Sequence, residues 1–287
     1  MKKILKASIL VMVVSLLLTG CGKSKEEKDV KNVSGAGTTK KIVKANITEQ
    51  VLLDKDGVKV TVKSISYYSK YNTDIKLLIE NNSEKDIIVQ TDNFSINGIL
   101  INGIVSAHVA AGKKSNDSIS IYNDDLDQAG ITTIKDIEFD LDILESKSYD
   151  EIMKEEGIKL QTDAKDYTQN YNTSGTLIVD QNNVKVYVLK QQNKTLGTEI
   201  LVYIENNSDK TLTVTSRELS VNGFMINSSF YESLPAGKKA YDSIMVYKDD
   251  LEDNDIKSID NIELKVECYD SKSYKDVFET DTIKVEF

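Results

Sequence analysis

The sequence predicts an all-β protein built as two tandem antiparallel β-sandwiches. Three observations carry this. The chain repeats itself at an offset of 125 residues, apolar and polar residues alternate with period two inside each copy, and the same two-residue turn signal occurs in both.

The repeat is explicit. Ile79-Glu80-Asn81-Asn82-Ser83 returns as Ile204-Glu205-Asn206-Asn207-Ser208, and Asn97-Gly98 returns as Asn222-Gly223. Ala111-Gly112-Lys113-Lys114 returns as Ala236-Gly237-Lys238-Lys239, and Ser146-Lys147-Ser148-Tyr149 as Ser271-Lys272-Ser273-Tyr274. Such a period is too long for a solenoid and suits a duplicated domain.

Within the first copy, strands are expected at Val58–Val62, Ile75–Ile79, Ile87–Val89, Ser118–Tyr122 and Ile158–Leu160. Ile137, Phe139, Leu141 and Ile143 alternate with Glu138, Asp140 and Asp142, which gives one dry and one wet face. The second copy repeats this as Ile262, Leu264, Val266 and Cys268. Asn97-Gly98 sits between two apolar runs, and both residue types tolerate the positive φ that a tight hairpin demands. Asp124-Asp125-Leu126 predicts the N-cap and first turn of a short helix or turn, and Tyr149–Glu156 a second helix. About seven strands per hundred residues with little helix points to an immunoglobulin-like sandwich.

The N-terminus sets the location. Lys2, Lys3 and Lys6 precede an apolar run from Ala7 to Leu18, too short for a comfortable membrane span. Leu18-Thr19-Gly20-Cys21 follows and matches a lipobox, so the start resembles a bacterial lipoprotein precursor. That resemblance implies cleavage before Cys21 and an acyl chain such as palmitate on it. The expected division is then a signal peptide at 1–20, the lipidated cysteine and a flexible tether at 21–46, a first sandwich at 47–162, a linker at 163–174 and a second sandwich at 175–287. The linker, with Tyr167 and Tyr171, is expected to be a short hinge.

Charge follows the same division. The signal and residues 22–50 each carry +3, while 51–162 and 163–287 each carry −8, within a net charge of −10. A basic stalk favours anionic head groups, and the acidic bodies are repelled by them. After Cys21 only Cys268 remains, so no disulfide framework can form within the chain and each sandwich relies on its core.

Lipobox, polar tether, the Glu-Asn-Asn-Ser motif after a strand and the Ala-Gly-Lys turn together resemble clostridial-type Firmicute surface lipoproteins with tandem Ig-like domains of unknown function. The resemblance covers both copies. It implies fold and an extracellular, membrane-anchored location, with release to the matrix as an alternative. Some lipoproteins of this look are linked to envelope stress and biofilm.

Chemistry is sparse. His108 is the one histidine, and its counterpart is Ser233, so nucleophilic triads and most zinc sites lack their parts. Cys268 stands where Ile143 stands in the first copy and is expected to be a small core hydrophobe. Asp124, Asp125 and Asp127, with Asp249, Asp250, Glu252, Asp253 and Asp255, lack the spacing and closing glutamate of a calcium loop. No cofactor or metal is expected. Lys113, Lys114, Lys238 and Lys239 could form two equivalent cationic points, extended by Lys40, Lys41 and Lys44. Tyr67, Tyr68 and Tyr71 could add stacking surface for a polyanion or partner.

The function these features suggest is a non-enzymatic binding, adhesion or scaffold module of the envelope or biofilm matrix. It would contact itself or an envelope or matrix protein, with no small-molecule substrate. Sequence-independent binding of extracellular DNA or another polyanion is a second expectation, opposed at long range by the acidic bodies. A role as accessory lipoprotein to a membrane sensor or transporter is a third.

Overall fold

The computed structural model describes residues 42–67 and 69–287. The signal, Cys21, Lys40, Lys41 and Tyr68 lie outside them. The first copy contributes β1 (Gln50–Lys55), β2 (Val58–Ser66), β3 (Asn72–Asn81), β4 (Ile87–Ile96), β5 (Ile99–Leu100), β6 (Gly103–Ile104), β7 (Ser106–Val109), β8 (Lys113–Tyr122), α1 (Asn123–Gln128), β9 (Asp136–Glu145) and β10 (Glu151–Gln161). The second contributes β11 (Thr176–Gln181), β12 (Val184–Lys194), β13 (Gly197–Asn206), β14 (Leu212–Val221), β15 (Phe224–Met225), β16 (Tyr231–Leu234), β17 (Lys239–Tyr247), α2 (Lys248–Asp253), β18 (Asn261–Asp270), β19 (Asp276–Glu279) and β20 (Ile283–Glu286).

The protein is all-β. In the first copy β1-β2-β3-β8-β6 form one sheet, and β10-β9-β4 with β5 and β7 form the other. With β2, β3, β4, β8, β9 and β10 read as strands A, B, C, E, F and G, this is immunoglobulin-like pairing. β12, β13 and β17 opposite β14 and β18 repeat it in the second copy, where β19 and β20 take the place of β10.

Period-two alternation builds the cores. Val60, Ile75, Ile79, Ile87, Ile119, Phe139 and Ile143 point between the first pair of sheets, fully buried. Val186, Ile200, Ile204, Val214, Ile244, Leu264 and Cys268 do so in the second. Asn97 and Gly98 adopt φ of 52° and 81°, and Asn222 and Gly223 of 49° and 86°, which closes each hairpin as its dipeptide predicts.

Two local expectations are corrected. Residues 151–156 are not helical: Tyr149 takes φ of 62° in a turn, and the chain then pairs along β9 as β10. The helix-forming residues there are overruled by an open sheet edge that offers hydrogen bonds and a pocket for Met153. The short helix α1 is present, but its N-cap is Tyr122, two residues before Asp124; Asp124 and Asp125 lie in its first turn and face the helix dipole rather than cap it.

The repeated Glu-Asn-Asn-Ser motif is structural. Asn81 is fully buried, and its Nδ2 donates to the Lys85 carbonyl at 2.7 Å and the Val109 carbonyl at 2.9 Å. Asn206 does the same toward Lys210 at 2.7 Å and Leu234 at 2.8 Å. Each asparagine ties the end of one strand to the neighbouring turn.

Candidate functional site at the junction of the repeats

The two sandwiches meet where the Asn97-Gly98 hairpin of the first copy reaches the Ala-Gly-Lys-Lys turn of the second. The Lys239 backbone N–H donates to the Gly98 carbonyl at 3.0 Å, and Lys239 sits opposite Ile99 in a parallel bridge. β5 and β17 thereby join one sheet from each copy into a continuous nine-stranded sheet. Ile99 is buried in the first core, and Leu100 packs against the second. Lys238 Nζ crosses to Glu138 Oε2 at 2.9 Å.

The segment 163–174, expected to be a hinge, is instead a strap. Asp163 accepts from the Asn46 amide N–H at 2.7 Å and from Asn46 Nδ2 at 2.9 Å. Those bonds hold its carboxyl below the usual carboxylate range. Further on, Tyr171 Oη donates to the Asn97 carbonyl at 3.0 Å, and the Asn172 N–H donates to Tyr241 Oη at 2.9 Å. The Tyr171 ring stacks on Tyr203 at 6.4 Å, with the Lys239 ammonium 4.6 Å from its centroid. Tyr203 also packs against Tyr241 at 4.8 Å and Tyr187 at 5.9 Å. Covered from above, Tyr203 is fully buried, and burial pushes its hydroxyl pKa well up while it donates to Glu205 at 2.9 Å.

Beside this strap lies a cleft of about 570 Å³ between the copies, lined by Asp92, Asn102 and Asp125 from one side and Glu232, Tyr241 and Asp242 from the other. Burial, then the neighbouring Asp242, pushes the Glu232 carboxyl up to about 7. Asp242 is also raised by burial, with the Ser243 and Tyr231 amides acting against it. The native state therefore holds the Glu232 proton more tightly than the unfolded chain, whose value is near 4.5. Stability from this group is full below pH 4.5 and is lost as pH rises through 7. Glu232→Gln is accordingly expected to stabilise the protein by about 1–2 kcal/mol at pH 8 and to have no effect at pH 4. Denaturant titrations of both proteins across that range measure it.

The predicted cationic points are not equivalent. Lys113 is exposed, Lys114 pairs with Glu80, and Lys238 and Lys239 are taken up by the junction. Tyr67 is half-buried, with its hydroxyl bonded to the Ala45 backbone. Tyr71 is 72% exposed beneath the Lys70 ammonium. Lys113 stands opposite Asn81 and Tyr122 opposite Asn72, so the lysine turn and the tyrosine segment occupy opposite ends of the sheet, roughly 30 Å apart. Lys44 lies in the N-terminal stretch preceding β1.

His108 lies exposed on β7, with Nδ1 3.4 Å from Ser146 Oγ. Cys268 is fully buried, and burial pushes its thiol up to about 12. A thiol reagent is expected to leave Cys268 unmodified in the native protein and to label it promptly in denaturant. Prompt native labelling would contradict the core position.

The tyrosine platform and the Glu232–Asp242 pair are features that motif reading missed. Their signal is a difference between copies: Tyr187, Tyr203 and Tyr241 occupy wet-face positions where the first copy has Thr61, Leu78 and Asn116.

No family model and no curated protein matches the chain. Among solved structures, a conserved domain protein from Bacillus anthracis is 11% identical, covering 84% of this chain and 91% of its own, with a TM-score of 0.28. The chicken interferon gamma receptor alpha chain is 8% identical, covering 85% and 98%, with a TM-score of 0.22. Red sea bream transglutaminase is 11% identical with a TM-score of 0.21; the alignment takes in 83% of this chain and only 31% of the transglutaminase. Superpositions this loose bear on neither function nor site, and the immunoglobulin-like description rests on the strand order itself.

Proposed function

We propose that the protein is a non-enzymatic, lipid-anchored binding and scaffold module on the outer face of the cell membrane. The observation that carries this reading is the junction. It holds two sandwiches as one continuous sheet, which suits a body that presents surfaces at a fixed spacing better than one that closes on a substrate. The lipobox at Cys21 supports the anchor, and the tether residues support reach from the membrane. Among the described residues, His108 stands on an edge strand and Cys268 in the core, and neither lines the cleft. Among the described residues no helix is long and apolar enough to cross a membrane.

The polyanion reading gains less support. Its lysines are dispersed, two of them within the junction, and each body remains acidic.

Pull-down from envelope and matrix extracts with the anchored chain tests the proposal. Retention of a defined envelope or matrix component, surviving salt that disperses non-specific ion pairing, is the expected result. An unacylated Cys21 in purified membranes, or turnover of an envelope substrate, would overturn it.

A further inference from the structure

The junction uses one surface from each copy, and because the copies are duplicates, each molecule carries a second, unused set. The first copy supplies the Asn-Gly hairpin and the second supplies the Ala-Gly-Lys-Lys turn. Left over are the hairpin of the second copy, Asn222-Gly223 with β15, and the turn of the first, Ala111–Lys114.

The unused hairpin keeps the shape of the used one. It closes with the same φ pair, and β15 pairs with β14 through Val221 and Phe224 as β5 pairs with β4 through Ile96 and Ile99. Its tip is open. Nothing lies within 4 Å of where a Cβ on Gly223 would stand, whereas Tyr171 Oη is 3.6 Å from that point on Gly98. Phe224 and Met225 correspond to Ile99, which is buried in its own core, and to Leu100, which packs against the neighbouring copy; they are 47% and 68% exposed. Two large apolar side chains at a hairpin tip are what a docking surface leaves visible when its partner is absent.

The unused turn also keeps the used geometry. Lys114 stands opposite Glu80 as Lys239 stands opposite Glu205, so strand alternation aims its backbone N–H off the edge of β8, as for Lys239. β6 covers that edge only at Ser120 and Ile121, leaving the Lys113 end open. Lys113 corresponds to Lys238, and Glu263 to its partner Glu138. Even the second lysine near that glutamate is duplicated in register: Lys159 lies 3.8 Å from Glu138, and Lys284 stands opposite Glu263 across β18 and β20, with its ammonium on Glu286 at 2.8 Å.

We propose that the hairpin tip of the second copy docks on the Lys113–Lys114 turn of another molecule, adding chains head to tail with Glu263 paired to Lys113. The proposal rests on the scaffold reading above and names its partner as a second copy of this chain. Such a contact is heterologous, so each molecule can take a neighbour at either end. It is weaker than the internal junction for two reasons. Leu78 and Asn116 replace the tyrosine platform of Tyr203 and Tyr241, and no covalent strap supplies effective concentration. Confinement to a membrane surface partly restores that concentration.

The test uses the full chain anchored on vesicles, as an equal mixture of isotopically light and heavy protein treated with a zero-length carbodiimide crosslinker. Mixed-label peptides joining Lys113 to Glu263 are the expected product. Lys113→Glu should lower their yield and that of crosslinked oligomers by roughly tenfold, and adding Glu263→Lys in the same chain should restore oligomers. Both positions are on the surface, so an unchanged melting temperature checks the fold. Absence of mixed-label links at this pair, or oligomers indifferent to Lys113→Glu, would overturn the head-to-tail contact. If Lys113→Glu abolishes oligomers yet still captures the envelope component, the binding reading stands independently; loss of capture by the unmodified chain would sink that reading instead.

Discussion

Asn206→Ala is expected to lower stability by about 3 kcal/mol. The side chain is fully buried, its Nδ2 serves the Lys210, Leu234 and Pro235 carbonyls, and its Oδ1 accepts from the amide and hydroxyl of Ser208. Truncation strands several of these groups away from water, and each unsatisfied group costs about 1–3 kcal/mol, offset in part by local relaxation. Asn206→Asp should be no better, since a carboxylate cannot donate to those carbonyls. Urea unfolding would show a lower midpoint at unchanged slope, with a parallel loss for Asn81→Ala in the first copy. A loss below about 0.5 kcal/mol would mean the motif marks the repeat without holding it.

Tyr203→Ala is expected to be comparably severe, at about 3–5 kcal/mol, and its effect should be concentrated at the junction. The ring has no part in the apolar core of the second sandwich; it lies on the opposite, wet face and is buried only because Tyr171, Tyr187 and Tyr241 enclose it. Removing it takes the floor from beneath the strap. Trypsin should then cut at the exposed Lys165 much faster than in the unmodified protein. Tyr203→Phe retains the stack, loses the bond to Glu205 and should cost about 1 kcal/mol with little change in cleavage. Equal cleavage in all three proteins would contradict the role assigned to the platform.

The sandwiches were legible because their signals are local. Alternation along Ile137–Ile143 and the Asn-Gly dipeptides each fix a backbone state within a few residues, and Cys268 follows from its register with Ile143. The β10 strand was not legible, since Met, Lys and Glu there favour helix and only the free edge of β9 decides otherwise. The junction was hidden for a different reason. Two identical Ala-Gly-Lys-Lys turns read as equivalent, yet one meets the neighbouring copy and the other meets solvent, a distinction that follows from chain connectivity. The strap was hidden too, because a polar stretch with two tyrosines has the composition of a hinge until Tyr203 and Lys239 are brought beneath it. Glu232 gave no signal at all: its raised carboxyl arises from burial in a cleft formed by both copies.

The junction holds the two sandwiches at one spacing, and one distance measures it. Nitroxide labels at Lys147→Cys and Lys272→Cys, equivalent exposed positions in the two copies, would report the spacing by pulsed electron spin resonance in a chain whose Cys21 is replaced by Ser. One narrow distance distribution is expected, broadening when Tyr203→Ala and Lys238→Glu are combined. A broad distribution in the chain with an intact junction, unchanged by those substitutions, would contradict it.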